Sequence, residues 1–263
     1  MRVASLIGGG LVCLVVLVAV FASQIAPGDP AAMVARPMLP LFSPGHLFGT
    51  DQFGRDVLAG VVHGARISLL VGVAAALATL GLGTAVGLAA GFLGGFADAV
   101  AMRVTEAFQT VPTFLLALAL CGVMGASLTT IVVAIAIASW PLSARLVRGE
   151  VLRLRTLEYV DAARMAGLRP LSIALTVVMP GALVPVAALF GVTVGEAILV
   201  ESALSFLGLG DPNVFSWGAM VANGRTLMRT APAVALLPGM AIAVTVLGIS
   251  LLGDRFATRQ RPS

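Results

Sequence analysis

The chain is predicted to be an all-α membrane protein with six transmembrane helices. Hydrophobic residues make up 59% of its 263 residues and charged residues only 11%, against roughly 25% charged residues in soluble domains. Mean hydropathy is +1.05, and the apolar residues gather in runs of about 20, the length a bilayer requires. So little polar surface leaves the bilayer as solvent. There, backbone amides must be satisfied inside helices.

The first run covers about residues 4–23. It also has the outline of a signal peptide, with Arg2, an apolar centre and Val20-Phe21-Ala22 as a small-residue end, but it is longer than the usual signal core. The second, rich in Gly and Ala, covers 67–92. The third covers 100–124 and has a polar first half. The fourth, at 128–146, follows after the short turn at 125–127, so the two form a tight hairpin. The fifth covers 171–199 and carries Pro180 and Pro185, and the sixth covers 231–252. Internal Pro is tolerated in such helices when neighbours take up the freed carbonyls.

Arginine sets the orientation. With the N-terminus inside, the cytoplasmic side holds Arg2, Arg103, Arg145, Arg148, Arg153, Arg155, Arg164, Arg169, Arg255, Arg259 and Arg261. The outer side holds Arg36, Arg55, Arg66, Arg225 and Arg229. This bias puts both termini in the cytoplasm. It also accounts for the net charge of +4 without nucleic acid as a partner; the expected surroundings are membrane lipid.

Several chemistries are excluded. All 16 basic residues are Arg, and without Lys there is neither a Walker A loop nor a Schiff base. Cys13 and Cys121 lie in apolar runs, so no disulfide framework is expected. His46 and His63 have no Cys or carboxylate at ligand spacing, and no metal site is expected. Neither H-E-x-x-H nor G-x-S-x-G occurs, and no enzyme activity is expected.

A polar island over 147–170 interrupts the apolar pattern. Within it Glu158-Tyr159-Val160-Asp161-Ala162-Ala163-Arg164-Met165-Ala166-Gly167 predicts a short helix over 157–166. Its alanines are strong helix formers, its acids sit in the first turn, and Asp161 and Arg164 are spaced to pair. Ala162, Ala163 and Ala166 form a small-residue face that a partner can approach. Gly167 can end the helix in a left-handed conformation, and Pro170 disfavours helix at Arg169. Val177-Val178-Met179-Pro180 follows.

A second motif runs from His46-Leu47-Phe48-Gly49-Thr50-Asp51-Gln52-Phe53-Gly54-Arg55-Asp56-Val57-Leu58 to Gly64-Ala65-Arg66-Ile67-Ser68. Gly49 and Gly54 mark turns, and Asp51, Arg55 and Asp56 are close enough in sequence to pair. A third runs from Ile198 through Glu201-Ser202 and Ser205 to Gly210, then Ser216-Trp217-Gly218.

The island resembles the EAA loop of the permease subunits of binding-protein-dependent ABC importers. The second and third motifs and the tail Leu251-Leu252-Gly253-Asp254 are similar to the second permease of the dipeptide, oligopeptide and nickel importers. The departures within the loop are small: Asp161 where Glu is common, Val177 for Ile, Met179 for Leu; the spacer 211–215 is slightly short. The resemblance implies the type I ABC importer permease fold, with an N-terminal helix and outer loop over 1–66 and a permease core over 67–263. It implies ATPase coupling through Glu158, Tyr159, Asp161, Ala162, Ala163, Arg164, Gly167 and Pro180. It makes Gly49, Thr50, Asp51, Gly54, Arg55 and Asp56 an outer-loop signature. The implied partners are a second homologous permease, two ABC ATPases that bind ATP and Mg, and an extracytoplasmic solute-binding protein. The setting is a bacterial or archaeal cytoplasmic membrane. Short peptides are the default cargo, with nickel chelates, glutathione and oligosaccharides as alternatives.

Two acids, Glu106 and Glu196, fall inside predicted spans, where ionisable groups are rare, and Glu201 lies just past the fifth. Glu106 has Arg103 as a partner three residues away. Glu196 and Glu201 lie near the outer end of the fifth span, where both are expected to reach water or the translocation mouth and where they are candidates for the substrate path. The pairs Gly83–Gly87 and Gly87–Gly91 permit close helix packing, expected within one subunit. An ion-coupled carrier would instead need carboxylates near the midplane, and none is clearly placed there. A membrane scaffold would tolerate loss of the 161–167 pattern.

Overall fold

The computed structural model describes residues 2–259, with side chains from 4 to 253. Arg261, and the side chains of Arg2, Asp254, Arg255 and Arg259, lie outside the described residues. In chain order the helices are α1 (Arg2–Val20), α2 (Ala22–Ile25), α3 (Val57–Leu93), α4 (Gly95–Gln109), α5 (Thr113–Met124), α6 (Leu128–Leu154), α7 (Glu158–Met165), α8 (Pro170–Phe206), α9 (Trp217–Gly224) and α10 (Ala233–Arg259).

Four described stretches are long and apolar enough to cross a membrane: α3, α6, α8 and Ala233–Gly253 of α10. The first expected span is shorter, apolar over Ala4–Val20. The third is not one straight helix, for α4 and α5 are bent by 85° at a break. Pro112 explains the break, because its ring disfavours helix at Val111. The fourth span runs on to Leu154, so the first residues of the polar island are helical. Val147, Val151 and Leu154 recur at helical spacing and are buried, while Arg145, Gly149 and Arg153 face outward. Burial of this stripe carries the helix past the point where hydropathy falls.

Contacts divide the chain into two units. One comprises 1–74, 121–132 and 191–263, the other 75–120 and 133–190. In the first unit α1 packs along α10 through glycines. A Cβ at Gly8 would lie 2.7 Å from the Gly248 carbonyl oxygen and 2.7 Å from Leu251 Cβ. The end of α1 leaves carbonyls without helical partners. Arg66 supplies them, its Nε–H donating to Ala19 O (2.6 Å) and its Nη2–H to Val20 O (2.9 Å).

In the second unit Gly83, Gly87 and Gly91 of α3 let α6 approach. A Cβ at Gly87 would press on Ala144 O and Val147, and one at Gly91 would lie 2.9 Å from Val151 Cβ. The two G-x-x-x-G pairs therefore serve packing within this chain. Arg148 closes the same region with two parallel bonds to Asp98, at 2.5 and 2.6 Å. Arg155 Nη1–H donates to Gly91 O at 2.9 Å, satisfying a carbonyl near the end of α3.

Candidate functional site

The short helix expected over 157–166 is α7, one residue shorter at each end. Its start has no side-chain cap, for Leu157 occupies that position in extended conformation. Glu158 and Asp161 in the first turn offset the missing cap through the helix dipole. Its end is a Schellman motif: Gly167 N–H donates to Arg164 O (3.0 Å) and Leu168 N–H to Ala163 O (3.2 Å). Gly167 holds φ +78°, a conformation that costs a residue with a Cβ. Arg169 is extended ahead of Pro170.

One side chain seats this helix. Val160 is fully buried with Val147, Val151, Leu154, Ile173 and Val178, and Ala163 leans on the same cluster. The expected small-residue face is thereby corrected. Ala163 is turned inward, and the open face carries Ala162 and Ala166 beside Tyr159 and Met165, the last 85% exposed. Glu158 is exposed, and Asp161 pairs with Arg164 at 2.7 Å on the surface. Glu106 likewise pairs with Arg103, at 3.1 Å.

Pro180 acts on the backbone. Residues Ile173–Val178 form a π-helical stretch, and Met179 N–H donates to Ala174 O, five residues back. Pro180 has no N–H to offer Thr176 O, and its ring crowds that carbonyl. The hydrogen-bond ladder widens before it, as at other π-bulges.

In the other unit the second and third motifs join. Glu201 Oε1 accepts hydrogen bonds from Ser205 Oγ (2.8 Å) and Ser216 Oγ (2.7 Å). Ser216 Oγ accepts Ala219 N–H (3.1 Å) and so caps α9. Trp217 N–H donates to Ser68 Oγ (3.0 Å) and Trp217 Nε1–H to Val61 O (2.8 Å). Gly64 and Gly218 make room, since a Cβ on either would meet Trp217 or Ser202. This arrangement corrects one expectation: Glu201 is 1% exposed and holds loop hydroxyls instead of reaching water. Glu196 is exposed.

The turn glycines stand as expected. Gly49 and Gly54 have φ +72° and +81°, and a Cβ on them would strike Leu39 O and Ala35 O. The acids nearby do not pair with Arg55. Asp51 Oδ1 accepts the backbone N–H of Phe53 (2.8 Å) and Arg55 (2.9 Å). Asp56 binds His46 Nδ1 at 2.6 Å and accepts Ala59 N–H at 2.9 Å. Thr50 Oγ1 donates to Arg36 O (2.6 Å) and accepts Leu39 N–H (2.9 Å). The Arg55 guanidinium lies instead between aromatic rings, 4.8 Å from the Phe53 centroid and 5.1 Å from that of Phe215. Carboxylates at two and four residues' spacing go to backbone amides because a tight turn points those amides at them.

Residues 83–263 match the model of the family described as "Binding-protein-dependent transport system inner membrane component". The chain belongs to that family. Members are permease subunits of ABC transporters, with ATP hydrolysed on a separate chain; this permease is a multi-pass membrane protein and not an enzyme. It is 40% identical over 213 residues to the glutathione transport system permease protein GsiD of Pectobacterium atrosepticum, covering 81% of this chain and 71% of the relative. It is 38% identical over 255 residues to the di/tripeptide transport system permease protein DppC of Pseudomonas aeruginosa, covering 94% and 84%. A solved chain of the MetNI methionine ABC transporter, in inward-facing conformation, shares the fold. Its TM-score is 0.61 at 19% identity, over 76% of this chain and 96% of that one.

Two features of the permease escaped sequence reasoning. The π-helical stretch was signalled only by Pro180. The Arg55 sandwich had no local signal, because Phe215 lies in another loop.

Proposed function

We propose that this permease forms half of the translocation path of an ATP-driven importer of short peptides, in a bacterial or archaeal cytoplasmic membrane. In this reading both termini are cytoplasmic, and the partners are a second homologous permease, two ATPases and an extracytoplasmic binding protein. One observation carries the coupling assignment: α7 is anchored by the buried Val160 yet shows Tyr159, Ala162, Met165 and Ala166 to water. Exposed apolar side chains on a polar loop mark a partner surface. The helix is thus a tooth for an ATPase groove, and its seat beside α6 and the start of α8 lets movement of the tooth move the spans. ATP must favour one state of the bundle by several kcal/mol to shift its population substantially, and the contact at α7 is where that difference enters. Short peptides are the cargo because the similar permeases serve di/tripeptides and glutathione, which is itself a tripeptide.

The test is purification of the tagged chain from its own membrane in mild detergent, with partners identified by mass spectrometry, followed by reconstitution. Recovery of a second permease and P-loop ATPases, with dipeptide uptake driven by ATP, is the expected result. A chain recovered alone and stable would overturn the docking assignment.

A further inference from the structure

The loop after α2 and the end of α9 bring more positive charge together than their own packing uses. A cavity of about 320 Å³ is lined by Arg55, Arg225, Asn223, Asp211 and Phe215. The acid there is already engaged: Asp211 Oδ1 accepts Asn213 N–H (2.9 Å) and Oδ2 accepts Leu128 N–H (3.3 Å). The two arginines are held by rings and not by carboxylates. Arg55 stacks between Phe53 and Phe215, and its Nε is buried without a hydrogen-bond partner. Arg225 lies 5.4 Å from the Phe206 centroid and donates to Phe206 O at 3.3 Å. An aromatic face orients a guanidinium while leaving its N–H edge free for a carboxylate.

We propose that this cavity seats an acidic side chain, Asp or Glu, presented by the extracytoplasmic binding protein as it docks. The proposal rests on the importer reading above and its orientation. Three features of the cavity select that occupant. Its excess charge is positive. Its two forked donors and the Asn223 amide suit a planar carboxylate. Its walls come from loops and from α9, beginning where α8 ends at Phe206, so an occupant comes from water and stops at the surface. Cargo must pass on through the spans, whereas a docking partner remains there. Charge complementarity of this kind chiefly steers encounter and selects the partner.

The experiment uses the complete importer in nanodiscs and the purified binding protein that co-purifies with it, loaded with a dipeptide. Its dissociation constant is measured at two salt concentrations. Arg225→Glu is expected to weaken docking about tenfold or more and to flatten the salt dependence, with the complex still assembled. Arg55→Gln keeps a planar group between the rings and is expected to weaken docking in the same direction. A Glu→Lys or Asp→Lys change in the binding protein, selected as a suppressor of Arg225→Glu, is expected to restore uptake. Unchanged docking by both variants would overturn the proposal and leave the importer reading standing. Unchanged docking with a raised KM for dipeptide would assign the cavity to the cargo carboxylate, and so also overturn it. If the binding protein fails to dock on the unaltered importer, this proposal and the importer reading fall together.

Discussion

The short helix α7 and the loop hub around Trp217 use their polar groups in opposite ways. In α7 Asp161 and Arg164 pair one turn apart and stay in water, and a single valine ties the helix down. In the hub the bonds span long stretches of chain. Ser216 reaches Glu201, Trp217 reaches Ser68 and Val61, and the hydroxyls and carboxylate involved are buried. A helix with bare polar and apolar faces is suited to meeting another protein. A hub whose donors and acceptors satisfy one another is suited to holding loops in register, and only its rim, at Arg55 and Arg225, has anything left to offer.

Trp217→Ala removes the largest fully buried side chain of the hub and is expected to cost about 3–5 kcal/mol, read as a lowered unfolding temperature of the detergent-solubilised protein. Glu201→Ala strands two buried hydroxyls and is expected to cost about 1–3 kcal/mol. Glu201→Gln retains an acceptor and should lose less, and equal losses would show that the carboxylate is needed for its charge.

The other region should respond in function before stability. Val160→Ala empties part of the seat of α7, at about 1–2 kcal/mol, and is expected to lower uptake per ATP hydrolysed in proteoliposomes. Ala166→Arg lies on the open face, so stability should change by no more than about 0.5 kcal/mol while ATPase co-purification falls. Retention of the ATPase at the native level would show that α7 is not the tooth. Ala163→Arg is a poorer probe, because Ala163 also touches the core. The smallest effect belongs to Asp161→Asn. Its exposed pair should be worth at most a few tenths of a kcal/mol, and a larger loss of transport would mean that the ATPase, not Arg164, is its partner.

Much of α7 was legible beforehand. Its acids, alanines, Gly167 and Pro170 each act on the backbone within a turn or two, so spacing alone predicted the helix, its left-handed stop at Gly167 and the Asp161–Arg164 pair. The same local logic failed at Arg55. Asp51 and Asp56 lie within four residues of it, yet turn amides and His46 take their oxygens, and Phe215 supplies the ring that no spacing could announce. Glu201 misled for a related reason. Its distance along the helix marked the end of a span, but whether a carboxylate there meets water or serine hydroxyls depends on which loop folds over it.

By itself, the sequence determined the membrane as solvent and the polar island with its short helix, because each rests on composition or on contacts within a few residues, and its motifs marked a permease by resemblance. The tertiary structure alone decided that Ala163 faces inward, that Glu201 is buried, and that Arg55 and Arg225 share a cavity. Those outcomes depend on close approach between residues far apart in the chain, where burial and geometry outweigh any local preference.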